Sequence, residues 1–420
     1  MHIAFVLTQS MESPSALGRY GPISRELVRL GYRVSVIAPH HDYGPHVPDC
    51  ELQDGVEIWC SGQMHVRKIG ARKTYFAVPR LLTVALRSAW RTARLMHRIR
   101  PDAIHLGKPH PINGLAAWWA LAANPSLQLY VDCDDYEAEA NQVSAAWQRR
   151  VLVYFENSLP RRARAVSVNT RFTQQRLEAL GVPPDHICYV PNGVDRRRFA
   201  REKEIDRSRE WLVQGERDEK RVLYLGSLNL VNHSIDLLLD AFTDVHEREP
   251  SASLLIVGGG SDYDLLQVQA RQRQQSSYVR FLGVVSPAEA PSFYRAAHLS
   301  VDPVWDDSVA RARSPLKVVE SLAAGTPVVT GDVGDRRWML GDGEAGVVVE
   351  PGNSRALADG ILRVLQNDQL ARELQQGAVR LRNRYWWDAL VRAWEPIYRQ
   401  RAESGDCAAR LAKPGRRGNA

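Results

Sequence analysis

Two successive series of short apolar runs, each run separated from the next by a stretch long enough for a helix, constrain this chain more than any other feature. In the first half the runs are "IAFVL" (3–7), "RVSVIAP" (33–39), "DAIHLG" (102–107), "LQLYVDCDD" (127–135) and "AVSVN" (165–169). Between them lie "PISRELVRLG", opened by Pro22 and closed by Gly31, then "NGLAAWWALAA" and "RFTQQRLEALG". A buried run, a helix and another buried run form the unit of a parallel sheet covered on both faces. After "CYVPNGVD" and a charged segment at 196–220, the alternation restarts with "RVLYLGS", "ASLLIVGGG", "YVRFLG", "AHLSVDPV" and "TPVVTGD". The pattern predicts an α/β protein of two Rossmann-like, doubly wound parallel-sheet domains, with ligands in a central cleft that the strand ends face. The expected boundaries are 1–195 and 196–385, then a helix at 386–400 packing back towards the first domain and a disordered basic tail at 401–420. The aromatic stripe Trp387, Leu390, Trp394 and Ile397 has helical spacing and reads as core.

A length of 420 residues suits two domains, and 44% hydrophobic with 25% charged residues is the balance of a globular chain. No apolar run approaches the roughly 18 residues that span a bilayer. "MHIAFVLTQS" lacks a basic start and reads as a first strand instead of a signal peptide. Cys50, Cys60, Cys133, Cys188 and Cys407 show no metal-ligand or redox spacing, which fits a reducing cytoplasm. The net charge of +7 comes without a module that interleaves aromatics among basic residues, so nucleic acid is not an expected partner. "RLLTVALRSAWRTARLMHRIR" places Arg87, Arg91, Arg94 and Arg98 in one stripe opposite Leu82, Leu86, Ala89, Ala93 and Met96. The apolar face is expected on the domain's own sheet, leaving the arginines for salt-sensitive, peripheral contact with anionic membrane at its inner face.

"RSPLKVVESLAAGTPVV" (313–329) condenses a helix and a buried strand. Ser314 fits an N-cap, Pro315 the first helical position and Gly325 the residue past the end. The N-terminus of such a helix offers free N–H groups to an anion. Lys317 and Glu320 stand one turn apart on it, either as a solvated i,i+3 pair or as parts of a binding site.

In order, "VPNGVD", "LYLGSLN", "LLIVGGG", "VRFLGVVSPAEAPSFYRAAHLSVDPV" and "SPLKVVESLAAGTPVVTGDVGD" resemble the retaining glycosyltransferases of family 4, or group 1, which have the GT-B fold. "GRYGPISRELVRLGYRVSVIAP", "PDAIHLGKPHPINGL" and "ARAVSVNTRFTQQRL" match the family's first domain more loosely. The resemblance implies a nucleotide-sugar donor and a glycan or lipid-linked acceptor in cell-envelope or polysaccharide synthesis, with no cofactor and no metal. Glu320 would hold the donor's ribose diol, and Lys317 with the helix start at Ser314 would meet the diphosphate. The family's acidic residue eight positions before this glutamate is Ala312 here, flanked by Arg311 and Arg313. The phosphate-binding Arg that follows the family's turn glycine is Ser227 here, after Gly226, and its Lys a few residues on gives way to Asn232-His233. Ser227 is expected to donate one hydrogen bond to the donor, the Gly226 turn to bring backbone close to phosphate, and Arg311 and Arg313 to supply the missing charge.

On the acceptor side, the resemblance gives His110 a catalytic role that orients or polarises substrate, and no protein nucleophile is needed. Gly18 and Gly21 match the family's flexible glycine loop, and Asp134 and Asp135 are candidate acceptor groups. Asp132-Cys133-Asp134 spells the DxD of metal-binding transferases, but it lies in the wrong domain for that role. His105, inside a strand, reads as a packed core residue. Two alternatives stand beside this reading: a nucleotide-sugar 2-epimerase, which shares the fold and cleft although the ordered motifs look like family 4, and a catalytically degenerate nucleotide-sugar-binding protein, which Ala312 and Ser227 would suit.

Overall fold

In a computed structural model the chain is described over residues 1–69, 72–141, 143, 145–200 and 218–399. The expected tail at 401–420 and most of the charged segment at 196–220 lie outside these residues. The chain divides into two compact units, one of residues 1–191 with the segment from Trp387 onward, the other Asn192–Trp386.

Unit 1 holds an eight-stranded sheet built from β1 (His2–Val6), β2 (Arg33–His40), β3 (Cys50–Gln53), β4 (Val56–Gln63), β7 (Ala103–Leu106), β8 (Gln128–Cys133), β9 (Ala165–Val168) and β10 (Ile187–Tyr189). A separate hairpin pairs β5 (Val66–Ile69) with β6 (Arg72–Tyr75). The order β10-β9-β8-β7-β1-β2-β4-β3 is parallel except for the β3–β4 hairpin at one edge. Neither hairpin was legible as an apolar run: β3 is exposed at every residue, as an edge strand can be. Unit 2 holds β11 (Lys220–Leu225), β12 (Ala252–Val257), β13 (Val279–Phe281), β14 (Leu299–Asp302), β15 (Val328–Gly331) and β16 (Gly346–Val349). Its order β13-β12-β11-β14-β15-β16 is parallel throughout. In both sheets the winding reverses beside the first strand, between β1 and β7 and between β11 and β14. Such reversals open a crevice at the carboxyl ends of the strands, where ligands of this fold class bind.

The helix Trp387–Trp394 completes the core of unit 1, with Trp387, Leu390, Trp394 and Ile397 all buried against Phe5, Tyr130 and Val190. His105 sits in that core, its Nδ1 2.6 Å from the Tyr398 hydroxyl. Burial lowers its pKa to about 3, so the ring is neutral. Next to it lies a fully buried ion pair. Asp132 receives two hydrogen bonds from Arg19, at 2.7 and 2.8 Å, and a third from Ser167 at 2.6 Å. The guanidinium is also stacked near Trp387 and Trp394, at 5.6 and 5.0 Å from their rings.

The long helix Val78–Ile99 corrects an expectation. Its buried residues are Ser88, Ala89, Thr92, Met96 and Ile99, whereas Leu82 and Leu86 are 44% and 52% exposed. The face it buries is small at Ser88, Ala89 and Thr92 and larger at Met96 and Ile99, while Leu82 and Leu86 face outward with Trp90. Among the described residues no helix is long and apolar enough to cross a membrane.

The Arg19–Asp132 pair generates a stability prediction. Asp132→Ala leaves a fully buried guanidinium without its carboxylate, and is expected to cost about 3–5 kcal/mol in chemical denaturation of the full chain. A loss within the error of the wild-type curve would show that Arg19 is held without its carboxylate, by contacts such as the aromatic stack and the Val190 carbonyl.

Candidate functional site

Each unit gathers its charged side chains at its own strand reversal. In unit 2 the helix Leu316–Ala324 starts one residue later than expected: Pro315 takes the N-cap position, and Ser314 is not the cap. The Ser314 hydroxyl instead accepts the Asn192 N–H at 3.0 Å, while its carbonyl accepts the Asn192 side-chain amide. Pro315 has no N–H to donate, and its extended ψ of 116° breaks the helix before it. Gly325 ends the helix with φ 79°, the left-handed geometry expected of it.

Lys317 and Glu320 do not pair with each other. The Lys317 ammonium binds Asp302, at the end of β14, at 3.0 Å and lies 4.7 Å from the Tyr224 ring. Asp302 also accepts Arg336 Nε at 2.7 Å. Both cations overcome its burial and hold its carboxyl far below the ordinary carboxylate range. Gly226 ends β11 directly beside Lys317, where a β-carbon would stand 3.3 Å from the lysine Cε. The loop after β12 closes on this turn: a β-carbon on Gly258, at φ 141°, would meet the Gly226 carbonyl at 1.9 Å. Tyr224 donates to the Ser227 carbonyl at 2.8 Å, leaving the exposed Ser227 hydroxyl outside that contact.

His233 is the cationic motif's replacement by sequence, yet it carries no charge. Burial, with Lys317 and Arg313 nearby, lowers its pKa to about 2. Arg313 reaches the same loop and donates to Asn232 Oδ1 at 2.7 Å and to its carbonyl at 2.5 Å. Arg311 joins none of these contacts, because its guanidinium closes on Asp306 at 2.6 and 2.7 Å at the surface. Ala312 is fully buried. Glu320, 8% exposed, pairs with Arg198 at 2.9 Å and lies 3.4 Å from the Tyr294 hydroxyl.

In unit 1 the corresponding cluster follows β7. Lys108 binds Asp135 at 2.6 Å, Glu137 at 2.5 Å and Asp134 at 3.2 Å. The ammonium thus stands where a cation held by these three carboxylates would stand. Asp132 and Asp134 diverge, the first into the core onto Arg19 and the second onto Lys108, so they do not form a DxD site. Burial, reinforced by Asp135, Asp132 and Glu137 and opposed by Lys108, raises Asp134 to about 8. His110 precedes the helix Pro111–Ala123, its ring 5.9 Å from that of His65 and its Nδ1 buried without a partner. Burial and the Lys108 charge lower it to about 4, so it is neutral at pH 7. Gly18 and Gly21 are not in a flexible loop: Gly18 lies in a helical turn over Ala16–Tyr20, and Gly21 opens the helix Gly21–Arg29. The Gly18 carbonyl is tied to the Trp387 indole at 2.7 Å.

Reading from sequence missed Asp302, Arg336, Arg198 and Lys108, whereas Glu137 was already legible as an acceptor-binding candidate beside Asp134 and Asp135. Asp302 and Lys108 did carry a signal, since each stands at or just past the end of a buried strand. Arg198 was hidden in the basic run "RRRF".

The raised pKa of Asp134 has a consequence for stability. The folded chain keeps a proton that the unfolded chain loses near pH 3.8, so this group's contribution falls as pH rises from about 4 to about 8. Asp134→Asn cannot ionise, and its thermal midpoint relative to wild type is expected to be higher at pH 8 than at pH 5. Equal differences at both values would show Asp134 ionised in the fold.

Comparison with known proteins places both units. The profile described as "Glycosyl transferase 4-like domain" matches residues 19–193, and "Glycosyl transferases group 1" matches residues 219–367. The phosphatidyl-myo-inositol mannosyltransferase of Mycobacterium tuberculosis is 34% identical over 244 residues, covering 57% of this chain. The D-inositol 3-phosphate glycosyltransferase of Corynebacterium aurimucosum is 28% identical over 61% of the chain and 62% of its own length. The matched region spans 60% of the length of the mannosyltransferase. Among solved structures, the sucrose-phosphate synthase of Thermosynechococcus elongatus superposes with a TM-score of 0.75 at 21% identity, covering 95% of this chain and 98% of that one. HepE of Anabaena, solved in complex with UDP, gives 0.66 at 18% identity over 95% of this chain and all of its own. Two parallel-sheet α/β units, each matched by its own profile, place the chain among the group 1, family 4 glycosyltransferases of GT-B fold.

Proposed function

We propose that the chain is a retaining glycosyltransferase that moves a sugar from a nucleotide-sugar to a glycan or lipid-linked acceptor in cell-envelope or polysaccharide synthesis. One observation carries the reading: Glu320 and Lys317 stand on one helix at the β11/β14 reversal, with the Gly226 turn against the lysine. Glu320 would accept the ribose diol. Its oxygens face Arg198 and Tyr294, but a carboxylate offers about four lone-pair positions, so two remain for the hydroxyls. Lys317 and the unpaired N–H groups of the helix start would bind the diphosphate, whose charge grows as the sugar departs. Asp302 is shared between Lys317 and Arg336, so one carboxylate orients two cations and leaves a net positive charge for that anion.

Transfer with retention needs no protein nucleophile when the acceptor attacks on the face the leaving phosphate vacates. The acceptor hydroxyl then loses its proton to that phosphate. Neutral His110 would orient the transferred sugar or the acceptor, and Asp134 and Asp135 would receive acceptor hydroxyls. The exposed Val78, Leu82 and Leu86, spaced one turn apart on the helix that carries the arginine stripe, support peripheral contact with anionic membrane from the cytoplasmic side.

A thermal-shift panel of nucleoside diphosphates, run on wild type and Glu320→Ala, tests the donor site. Ligand at about 100 times its Kd stabilises by about 2.7 kcal/mol, which raises the midpoint visibly. A rise selective for one base is expected, shrinking in the variant by an affinity loss of about ten-fold or more, the cost of one charge-assisted contact. No rise with any nucleotide at millimolar concentration overturns the reading. Incubation with the matching nucleotide-sugar alone then separates the chemistries, because an epimerase converts donor without acceptor and a degenerate binder converts nothing.

A further inference from the structure

The outer edge of unit 1 carries a groove that shares no residue with the Lys108 cluster. It has a volume of about 580 Å³ and lies between the Val78–Ile99 helix and the β3–β4 edge. Trp59, Trp90, Arg91, Arg94, Arg98 and Asp49 line it. Each guanidinium lies over an aromatic ring: Arg98 over Trp59 at 5.2 Å, Arg94 over Trp90 at 5.4 Å and Arg91 over Tyr43 at 4.9 Å. The 22-residue helix holds five arginines and no Asp or Glu. Like charges three and four residues apart repel, and no ion pair among the described residues relieves them here. The indole of Trp90 is nevertheless 55% exposed.

These features point to one ligand chemistry. Trp90, with Arg94 over one face of its ring and 55% of its surface exposed, keeps indole surface that suits the C–H face of a pyranose, while guanidiniums without a carboxylate partner among the described residues suit a carboxylate or phosphate bidentately. Asp49 would accept a ring hydroxyl. Partly buried Trp59 and Leu95 and buried Cys60 make the wall concave, so it fits a discrete ring better than a flat bilayer. We infer that this groove is a subsite for an anionic saccharide, a pyranose bearing a carboxylate or phosphate.

Calorimetric titration of the full chain tests it with four probes: a hyaluronan tetrasaccharide, uncharged chitotetraose, inorganic phosphate, and vesicles of phosphatidylcholine with phosphatidylglycerol. Hyaluronan is expected to bind at least about ten-fold more tightly than chitotetraose or phosphate, and to weaken as salt rises. Trp90→Ala, and separately Arg94→Gln with Arg98→Gln, are expected to weaken that binding about ten-fold or more while leaving the thermal midpoint unchanged, since Trp90, Arg94 and Arg98 are exposed. Equal binding of charged and uncharged tetrasaccharides, or none at millimolar concentration, overturns the inference. Phosphate binding as tightly as the saccharide reduces the groove to a bare anion site. Binding of vesicles only assigns the surface to the membrane, and either result also overturns it.

Discussion

A parallel strand buried on both faces leaves a charged side chain little room except at its ends, and the chemistry of this chain follows from that constraint. Asp302 is the last residue of β14, Gly226 follows β11, and Lys108 stands two residues past β7. The winding order then decides which of these ends are neighbours. In both sheets the first strand is flanked by strands of opposite winding, so the loops after β1 and β7, and after β11 and β14, leave the sheet in divergent directions and open a crevice. Asp132 is the exception that shows the cost. It lies inside β8, where Arg19, Tyr20 and Ser167 all donate hydrogen bonds to its carboxylate and so offset the cost of its burial.

The two crevices differ in sign. At the unit 2 reversal Asp302 is outnumbered by Lys317 and Arg336, and His233 is held neutral by its burial first and by the nearby Lys317 and Arg313 second. At the unit 1 reversal three carboxylates face one ammonium, and the surplus is partly relieved by protonation of Asp134. A positive crevice favours an anion such as a diphosphate, whereas a carboxylate-rich one favours donors of hydrogen bonds such as hydroxyls. Nothing in the bulk charge of +7 anticipates this division, because most of the basic residues lie elsewhere.

The alternation of apolar runs revealed the sheets because period and length are properties of local sequence. It did not reveal the β3–β4 or β5–β6 hairpins, nor β16, whose "GVVV" is too short to stand out. The Leu316–Ala324 helix was legible to within one residue, and the error has a cause: Ser314 had a second partner, Asn192, 122 positions away. The exposure of Leu82 and Leu86 was illegible for a similar reason. A helical wheel shows which residues share a face but not which face the sheet takes, and here the sheet accepts Ser88, Ala89 and Thr92 for their size. Partners distant in sequence, such as Arg198 for Glu320, have no local signature at all.

The departures at Ala312 and Ser227 acquire a physical meaning in this geometry. An acidic residue at 312 would need solvent or a partner, and the site is fully buried; the alanine there lets the short turn Ser308–Arg311 close, capped by Asp307 onto the Ala310 N–H at 2.7 Å. With no carboxylate at 312, Arg313 is left to Asn232, and no acid competes there for the Lys317 charge beyond Asp302. Arg336 then matters more than its position suggests, since it takes up part of the charge of Asp302 that would otherwise fall wholly on Lys317. Positive charge at this strand reversal comes from Lys317 and Arg336, on the helices Leu316–Ala324 and Arg336–Met339, which share Asp302 at the end of β14.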